Sequence, residues 1–434
     1  MSMYASTSIV LVAMVAAFVL SAIFLKSPEI SLAITAVVGL LFGVGFGWTN
    51  SFPRVLVEGL FVNLDIALLF VAASIFVNLY SATGAITTVT RNLVGRFQSK
   101  WILLAFMAVF MLIPGALTGA GSISIFVLGS MVATVVGAMG LSKKKTAAFV
   151  FMFAILSAAA PPINLWAMMI ASGSDIPYVG FSVPLLVPIL IASVFTIVYL
   201  GWGSKRKSKE EILASLPEST ENMSWWRILV PLLVLVALFV VSSSLAHYIP
   251  TLGLPLMFVL SAVAVVFCNP KKMRLKDYWK IIENTFEQIF PLIATVLSVG
   301  LLQNALSATG VKGLIGITFI TLPVVWIYAT ILFVAPVLQG ALNYGSAVVF
   351  GAPLFLFNSM GFDPKIVAVA LSLIFPIGDC LPPSRITGRL AVEAVGYEGK
   401  YTSFLLAVLA PCLVLGLLAL ALMIWPNTFA FLAV

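Results

Sequence analysis

The stretch SAAAPPINLW, residues 157–166, places two consecutive prolines in the middle of an apolar segment. Each proline removes a backbone N–H donor, and the pair cannot continue a regular helix. Inside a bilayer, the carbonyl groups that lose their partners have no water to bind. The same pattern recurs in DCLPPSRITG, residues 379–388, where Pro382 and Pro383 are adjacent. The two stretches therefore predict two interrupted helices within a membrane.

The composition is that of a membrane protein. The chain has 434 residues, of which 62% are hydrophobic and 9% charged, with a mean hydropathy of +1.17. Soluble domains carry about 25% charged residues. We therefore expect an all-α polytopic membrane protein. The first apolar segment lacks a basic leader and a small-residue cleavage site, so we interpret it as a spanning helix rather than a removed signal peptide.

The charged and reactive residues exclude several functions. The net charge of +8 is better explained by basic residues in short loops, which set membrane topology, than by nucleic-acid binding. The three cysteines are scattered and His247 is the single histidine, so neither a metal site nor a nucleophile–base pair can be assembled. The chain also lacks the P-loop pattern of ATP-driven pumps. We expect neither an enzyme nor a bound cofactor.

Spanning helices need about 20 apolar residues. Eight stretches qualify, near residues 8–25, 30–48, 61–80, 180–202, 227–246, 252–268, 286–308 and 404–425. Three further regions, 101–140, 146–172 and 326–390, are apolar but interrupted by Gly, Ser, Pro and Asn. Interruptions of this kind mark re-entrant hairpins or discontinuous helices around a polar cavity.

An internal repeat relates the two halves of the chain. YSATG at residues 80–84 recurs as LSATG at residues 306–310, and GAL at Gly115 recurs at Gly340. A proline pair follows 21 positions after both Gly140 and Gly361, and the offset between copies drifts only from 226 to 221. Chance explains any single match of small residues. It does not explain an ordered series with a nearly constant offset.

The distribution of charge predicts that the two copies are inverted. Placing residues 203–226 in the cytoplasm puts 20 of the 23 Lys and Arg residues on or near that side, leaving Arg54, Lys312 and Lys365 outside. The segment after the first SATG is then cytoplasmic and the segment after the second is external. This divides the chain into scaffold helices and an arm (1–100), first-repeat transport elements (101–202), a linker (203–226), a second scaffold and arm (227–325) and second-repeat transport elements (326–434).

Inverted repeats with matched broken helices place a binding site near the midplane. Helix N-termini favour anions, and freed carbonyls with Ser, Thr and Asn oxygens suit sodium. Our substrate-binding candidates are Ser157, Pro161, Pro162, Asn164, Pro382, Pro383, Ser384, Arg385 and Thr387. Our sodium-binding candidates are Gly115, Thr118, Gly119, Gly121, Ser122, Gly340, Asn343, Gly345, Ser346, Gly378 and Asp379. Close helix packing explains any single Gly or Ser equally well, but the repeated clusters beside repeated proline pairs favour a cavity.

Ionisable groups at membrane depth are costly and are functional candidates. Arg385 can hold a carboxylate through two hydrogen bonds, and Arg389 lies one helical turn further on. The alternative is that Asp379 neutralises Arg385 while Arg389 pairs with Glu393. Asp65, the other charged residue well inside a predicted span, is either a packing residue or part of an ion path.

These features resemble the large permease subunit of TRAP transporters, in the ion transporter superfamily. Residues 58–97 are similar to that family's helix, small-residue turn and basic arm. TGAGSISIFVLGS (118–130) is similar to its Ser- and Gly-rich hairpin, and residues 160–176 and 377–392 sit where it has two broken helices. The chain departs from the family at Asn343, where an acidic residue is usual, and at Ser384, Arg385 and Arg389, where the family is apolar.

The resemblance implies a function and partners. It implies sodium-coupled uptake of a small organic anion, a carboxylate, by an elevator motion in a bacterial inner membrane. It also implies a small membrane subunit and a periplasmic substrate-binding protein as partners. A stand-alone carboxylate symporter, similar to gluconate or citrate permeases, is the alternative, and a channel is a further one.

Overall fold

The computed structural model describes residues 3–48, 51–216, 223–244, 252–271, 273–351, 354–382 and 385–433. Within these ranges the regular structure is helical and contains no strand. Ten helical segments there are long and apolar enough to cross a bilayer. This confirms the all-α polytopic prediction. Pro383, Ser384 and His247 lie outside the described ranges.

One set of helices packs mainly against itself, and we call it the framework. The close approach of two of its helices depends on small residues, because a Cβ on Gly300 would lie 2.5 Å from the carbonyl oxygen of Gly59. Small residues therefore let these helices meet backbone to backbone. The framework consists of Met3–Leu25, Pro28–Gly45, Phe52–Val62, Leu64–Ala82, Trp225–Ser244, Leu254–Cys268 and Leu275–Ala308.

Each half of the framework ends in a short helical arm, the amphipathic Ala85–Arg96 in the first half and the more uniformly apolar Val311–Thr321 in the second. The turn into each arm is made by the glycine of SATG: Gly84 has φ 83° and Gly310 has φ 70°. Side chains with a Cβ rarely adopt this left-handed conformation. The repeated SATG motif is therefore a repeated change of chain direction.

The remaining long helices form a second set, which we call the carrier group. Each half contributes a hairpin and a broken helix, and the two long helices Ser182–Gly201 and Tyr401–Ile424 pack beside them. The first hairpin comprises Lys100–Thr118, Gly121–Ser124, the π-helical Ile125–Gly129 and Ser130–Ala138, and the first broken helix comprises Lys143–Ala159 and Leu165–Gly173. The second hairpin comprises Val324–Ala329, the π-helical Thr330–Val334, Ala335–Leu342, Gly345–Gly351 and Leu354–Ser359. The second broken helix comprises Pro364–Ile374, a 3₁₀ turn Phe375–Cys380 and Ile386–Val395.

Two framework helices begin earlier than the predicted spans. The predicted span 286–308 begins at Leu275, because its first turns are amphipathic and charged rather than uniformly apolar. The predicted span 61–80 is preceded by the helix Phe52–Val62, which is separated from the following helix by the buried Asn63. A search for continuous apolar residues misses such helix ends.

Contacts between distant segments agree with the predicted sidedness. Residues assigned to the cytoplasm contact one another through hydrogen bonds from Lys100 Nζ to Ser204 O (2.7 Å), Lys143 Nζ to Gly396 O (3.1 Å) and Lys271 Nζ to Ala82 O (3.0 Å). Segments assigned to the outside also meet, as in the bond from Asp363 N to Asn427 Oδ1 (3.0 Å). The two halves therefore have opposite orientations, as the charge distribution predicts.

Candidate functional site

The first break is held together by Asn164. The proline pair ends the helix Lys143–Ala159 and leaves carbonyl groups without helical donors. Asn164 Nδ2 donates to Ala159 O at 3.0 Å, and Asn164 Oδ1 accepts from Ala167 N at 2.9 Å, which caps the next helix. One amide side chain therefore satisfies groups on both sides of the interruption.

The same side chain joins the two broken helices. Asn164 Nδ2 also donates to Ser372 Oγ, at 3.0 Å, in the second broken helix. The first break rests on the first hairpin as well, because Ile163 N donates to Ala116 O at 3.1 Å. Two interruptions that are far apart in sequence are thus linked through one buried amide.

The tips of the two hairpins also meet. Tyr344, at the tip of the second hairpin, donates its hydroxyl hydrogen to Gly119 O at 3.2 Å. Gly119 ends the helix Lys100–Thr118 with φ 72°, a conformation that turns its carbonyl group out of the helix. The interrupted helices and both hairpin tips therefore converge on one region of the molecule.

A chain of polar side chains runs through this region, and we call it the Gln339 network. Gln339 Oε1 accepts hydrogen bonds from Trp166 Nε1 at 3.0 Å and from Ser346 Oγ, and Gln339 Nε2 donates to Asp379 Oδ1 at 3.0 Å. Asp379 Oδ2 accepts from Thr387 Oγ1 at 2.9 Å. Each carboxylate oxygen therefore has one neutral donor, and the network joins the second hairpin to both broken helices.

Among the residues that the structure describes, the carboxylate of Asp379 has no cationic partner. Within the described residues the only ion pair is Arg54 with Glu58, on an exposed helix of the framework. A carboxylate inside a protein is costly unless a cation or several hydrogen bonds compensate its charge. An added cation could compensate the charge of Asp379, and Asn343 Oδ1, which lies 3.5 Å from the same Gln339 Nε2, is a further oxygen close to the carboxylate.

The alternative ion pairs considered for the arginines are not present within the described ranges. The Arg385 guanidinium lies 5.1 Å from the centre of the Tyr401 ring, a cation–π contact, rather than against Asp379. Arg385 begins the helix Ile386–Val395 with φ 51°, and this backbone conformation sets the direction of its side chain. Arg389 is exposed and forms no ion pair with Glu393.

Asn343 has an unusual backbone conformation at the tip of the second hairpin, with φ 52° and ψ −133°. Non-glycine residues rarely adopt this conformation, and such residues concentrate at binding sites and switch regions. Its carbonyl oxygen accepts from Ser346 Oγ at 2.9 Å. The hairpin tip therefore holds backbone and side-chain oxygens close to the Gln339 network.

The breaks themselves reach the surface above this buried network. Pro162 and Pro382 are exposed, whereas Asn164, Ser157, Gln339 and Ser346 are buried. The interrupted segments therefore reach the surface of the fold, while the polar side chains of the network are shielded.

The small residues predicted to bind sodium allow close packing. A Cβ on Gly121 would lie 2.5 Å from Ala154 O, and Thr118 donates its hydroxyl hydrogen to Pro114 O at 2.8 Å. The second half has the same kind of contacts. A Cβ on Gly340 would lie 2.8 Å from Pro382 O, and a Cβ on Gly378 would lie 2.1 Å from Pro336 O. A Cβ on Gly345 would lie 3.1 Å from Leu32 Cδ2. In the first half Ser157 contacts Ser124, with 3.0 Å between their hydroxyl oxygens. Ser122 is also buried. Sodium binding by the predicted glycines, Thr118 and Ser122, and substrate binding by Ser157, stay predictions.

Sequence reasoning missed four residues that join the site. Gln339, Trp166, Ser372 and Tyr344 were not among the candidates, although each is polar or has a polar atom within an apolar stretch. The sequence feature that points to this site is Gln339, a polar residue in an apolar segment directly before the repeated GAL motif. Asp65, in contrast, is exposed on the framework.

No protein-family model matches the chain, and no curated protein matches it in sequence. Solved structures do share its fold. The YdaH transporter of Alcanivorax borkumensis, described as having an unusual topology, superposes with a TM-score of 0.61 at 12% identity over 88% of this chain and 90% of that one. MtrF of Neisseria gonorrhoeae, described within a class of antimetabolite efflux pumps, has a TM-score of 0.59 at 12% identity over 87% and 85%. The chain thus has a fold that membrane transporters use.

Proposed function

We propose that the protein is the permease of a sodium-coupled secondary transporter for a small organic anion, a carboxylate, in a bacterial inner membrane. The observation that carries this proposal is Asp379, at the meeting point of the hairpin and the broken helices, whose carboxylate has no cationic partner in the part of the chain that the structure describes. Ionisable groups in such positions mark ion pathways.

Sodium is the coupling ion in this proposal because of the chemistry of the available ligands. Hard cations prefer oxygen ligands. Asp379 Oδ1 and Asn343 Oδ1 share Gln339 Nε2 as a donor. Ser346 Oγ joins Gln339 Oε1 to the carbonyl oxygen of Asn343, so carboxylate, amide, hydroxyl and carbonyl oxygens belong to one network. Binding of sodium would neutralise the carboxylate and organise the tip of the second hairpin.

The breaks supply the groups that an anion needs. The helices Leu165–Gly173 and Ile386–Val395 both begin at an interruption, and a helix N-terminus presents partial positive charge and free N–H groups. Arg385, the first residue before the second of these helices, is half-buried and can bind a carboxylate through two hydrogen bonds. Pro382 is exposed beside it.

Alternating access follows from the division between the framework and the carrier group. Each packs mainly against itself, and the contacts between them are sparse. Inverted repeats allow one body to move against the other and so expose a site to each side in turn. We propose that the carrier group moves with its bound solute as an elevator.

The partners remain part of the proposal. The span Met3–Leu25 is only 17% buried within the chain and Trp225–Ser242 only 11%, which leaves outer faces for lipid or for a small membrane subunit. The TRAP resemblance adds a periplasmic substrate-binding protein. A stand-alone symporter of the gluconate or citrate type needs neither partner.

The test is uptake by purified protein in liposomes. A labelled carboxylate is supplied with and without an inward sodium gradient, and with and without a binding protein encoded nearby. We expect accumulation only with the gradient. Uptake that does not depend on sodium would remove the coupling, whereas accumulation without the binding protein would select the stand-alone symporter. Export of preloaded substrate against its gradient would instead indicate an efflux pump, the class described for MtrF.

A further inference from the structure

An apolar cavity of about 200 Å³ lies away from the Gln339 network, between the framework and the first hairpin. Two of its walls belong to the framework, from the helices Leu64–Ala82 and Trp225–Ser244, and one belongs to the carrier helix Lys100–Thr118. The lining side chains include Phe76, Tyr80, Val89, Phe110, Leu117 and Leu232.

The interior of the cavity offers almost nothing to a polar ligand. The Tyr80 hydroxyl group, one of the few polar groups there, already donates to Ile228 O at 3.0 Å. Water occupies a cavity only where it finds polar partners. An empty space would forfeit the dispersion contacts of its walls. A cavity of this kind excludes water and takes apolar ligands, and in a membrane the abundant apolar molecules are acyl chains.

The cavity runs inward from the cytoplasmic side. Trp225 and Tyr80 lie near the cytoplasmic ends of their helices, whereas Leu117 lies near the tip of the first hairpin. From Trp225 to Leu232, the lining of one helix extends by roughly 10 Å along its axis. An elongated cavity along the membrane normal suits an acyl chain entering from the cytoplasmic leaflet.

Two cations lie at the cytoplasmic end. Lys271 Nζ donates to Ala82 O at 3.0 Å, at the turn between two elements that line the cavity. Arg227 precedes the lining residue Ile228, with its guanidinium carbon 5.2 Å from the centre of the Trp226 ring. Basic groups at this membrane surface attract anionic lipid headgroups.

We propose that this cavity binds the acyl chain of an anionic phospholipid from the cytoplasmic leaflet, with its headgroup against Arg227 and Lys271. Because the walls belong to both the framework and the carrier group, the bound chain fills the space between two bodies that move in the proposed transport cycle. The inference rests on the cavity and its charges, so it stands whether or not the coupling ion is sodium.

The test uses the full chain, reconstituted in nanodiscs of mixed phosphatidylglycerol and phosphatidylcholine and then extracted for native mass spectrometry. We expect a retained phosphatidylglycerol on the unaltered protein. Leu232→Trp fills the cavity and is expected to remove it. Leu233→Trp, at the next position on the same helix and 58% exposed, is the matched control and should keep it.

The headgroup contact is tested by Arg227→Gln and Lys271→Gln. Each cation near the surface is worth roughly a fivefold preference for anionic lipid, so each variant should lose about that factor. Lys276→Gln, exposed on the same side, should not change it. Any of three results would overturn the proposal: Leu232→Trp retains the lipid, Leu233→Trp loses as much lipid as Leu232→Trp does, or both charge variants keep the full preference for anionic lipid. Recovery of a non-lipid molecule would overturn it as well.

Discussion

At the scale of single residues, the second break carries charged side chains and the first break does not. With the offset of 221, Asp379 corresponds to Ala158 and Arg385 corresponds to Asn164. Asn164 closes its break with hydrogen bonds to both flanking helices, whereas Arg385 leaves its guanidinium on the ring of Tyr401. The two breaks are therefore related in backbone but differ in chemistry, which makes the second break the better anion site.

The anion site is tested by Arg385→Ala. If the guanidinium binds the solute carboxylate, its loss should raise the KM for uptake by at least about tenfold, the cost of a hydrogen bond to a charged group. Arg389→Ala removes the same charge one turn further along the helix, at an exposed position, and should leave the KM nearly unchanged. Equal kinetics for the two variants in liposome uptake assays would contradict a solute contact by Arg385.

At the scale of elements, sequence predicts the hairpins and breaks well because their causes are local. Proline pairs end helices wherever they occur, and the glycine of SATG makes the turn into each arm. The residues that complete the site depend instead on how the halves dock. Trp166 and Gln339 are 173 positions apart, and no local pattern indicates that their side chains meet. For the same reason the sequence places a polar Gln339 in an apolar segment but does not indicate which side chains it contacts.

Close packing between the first hairpin and the first broken helix is tested by Gly115→Ala. A Cβ there would lie 1.9 Å from Ser157 Oγ and 2.6 Å from Ser157 Cβ. Both helices would have to move, and we expect a loss of about 1–3 kcal/mol in the free energy of unfolding. The measurement is denaturant unfolding of the purified protein in detergent.

Gly137→Ala is the matched control for that substitution. Gly137 lies in a helix of the same hairpin and a Cβ there meets nothing within 4 Å. Alanine should be neutral or should stabilise the helix by up to about 1 kcal/mol. Should the two variants unfold at the same denaturant concentration, the packing account of the repeated small residues would be wrong.

At the scale of the whole molecule, the proposed transport cycle moves the carrier group against the framework. One contact between them is made by the end of the helix Leu165–Gly173, whose last carbonyl group accepts a hydrogen bond from Lys312 Nζ in the second arm. A Cβ on Gly173 would also lie 3.4 Å from Gln303 Nε2 in the framework. This junction has to separate if the two bodies slide.

A chemical link across this junction tests the motion. In a chain without the native cysteines, Gly173→Cys with Gln303→Cys can be bridged by a mercuric ion, and the bridge should stop uptake until a thiol removes it. Gly129→Cys with Ala394→Cys is the control within the carrier group, where a Cβ on Gly129 lies 3.3 Å from Ala394 Cβ. Undiminished uptake with the first pair fully bridged would rule out sliding at this junction.

The most direct test of the central claim is sodium-driven accumulation by Asp379→Asn, measured beside the unaltered protein and Asp363→Asn. Asparagine keeps the shape of the side chain but removes the charge that would hold sodium. Asp363, which caps the helix Pro364–Ile374 outside the site, is the matched control. The account predicts that Asp379→Asn no longer concentrates the carboxylate in response to a sodium gradient, whereas Asp363→Asn does. Full sodium-driven accumulation by Asp379→Asn would contradict it.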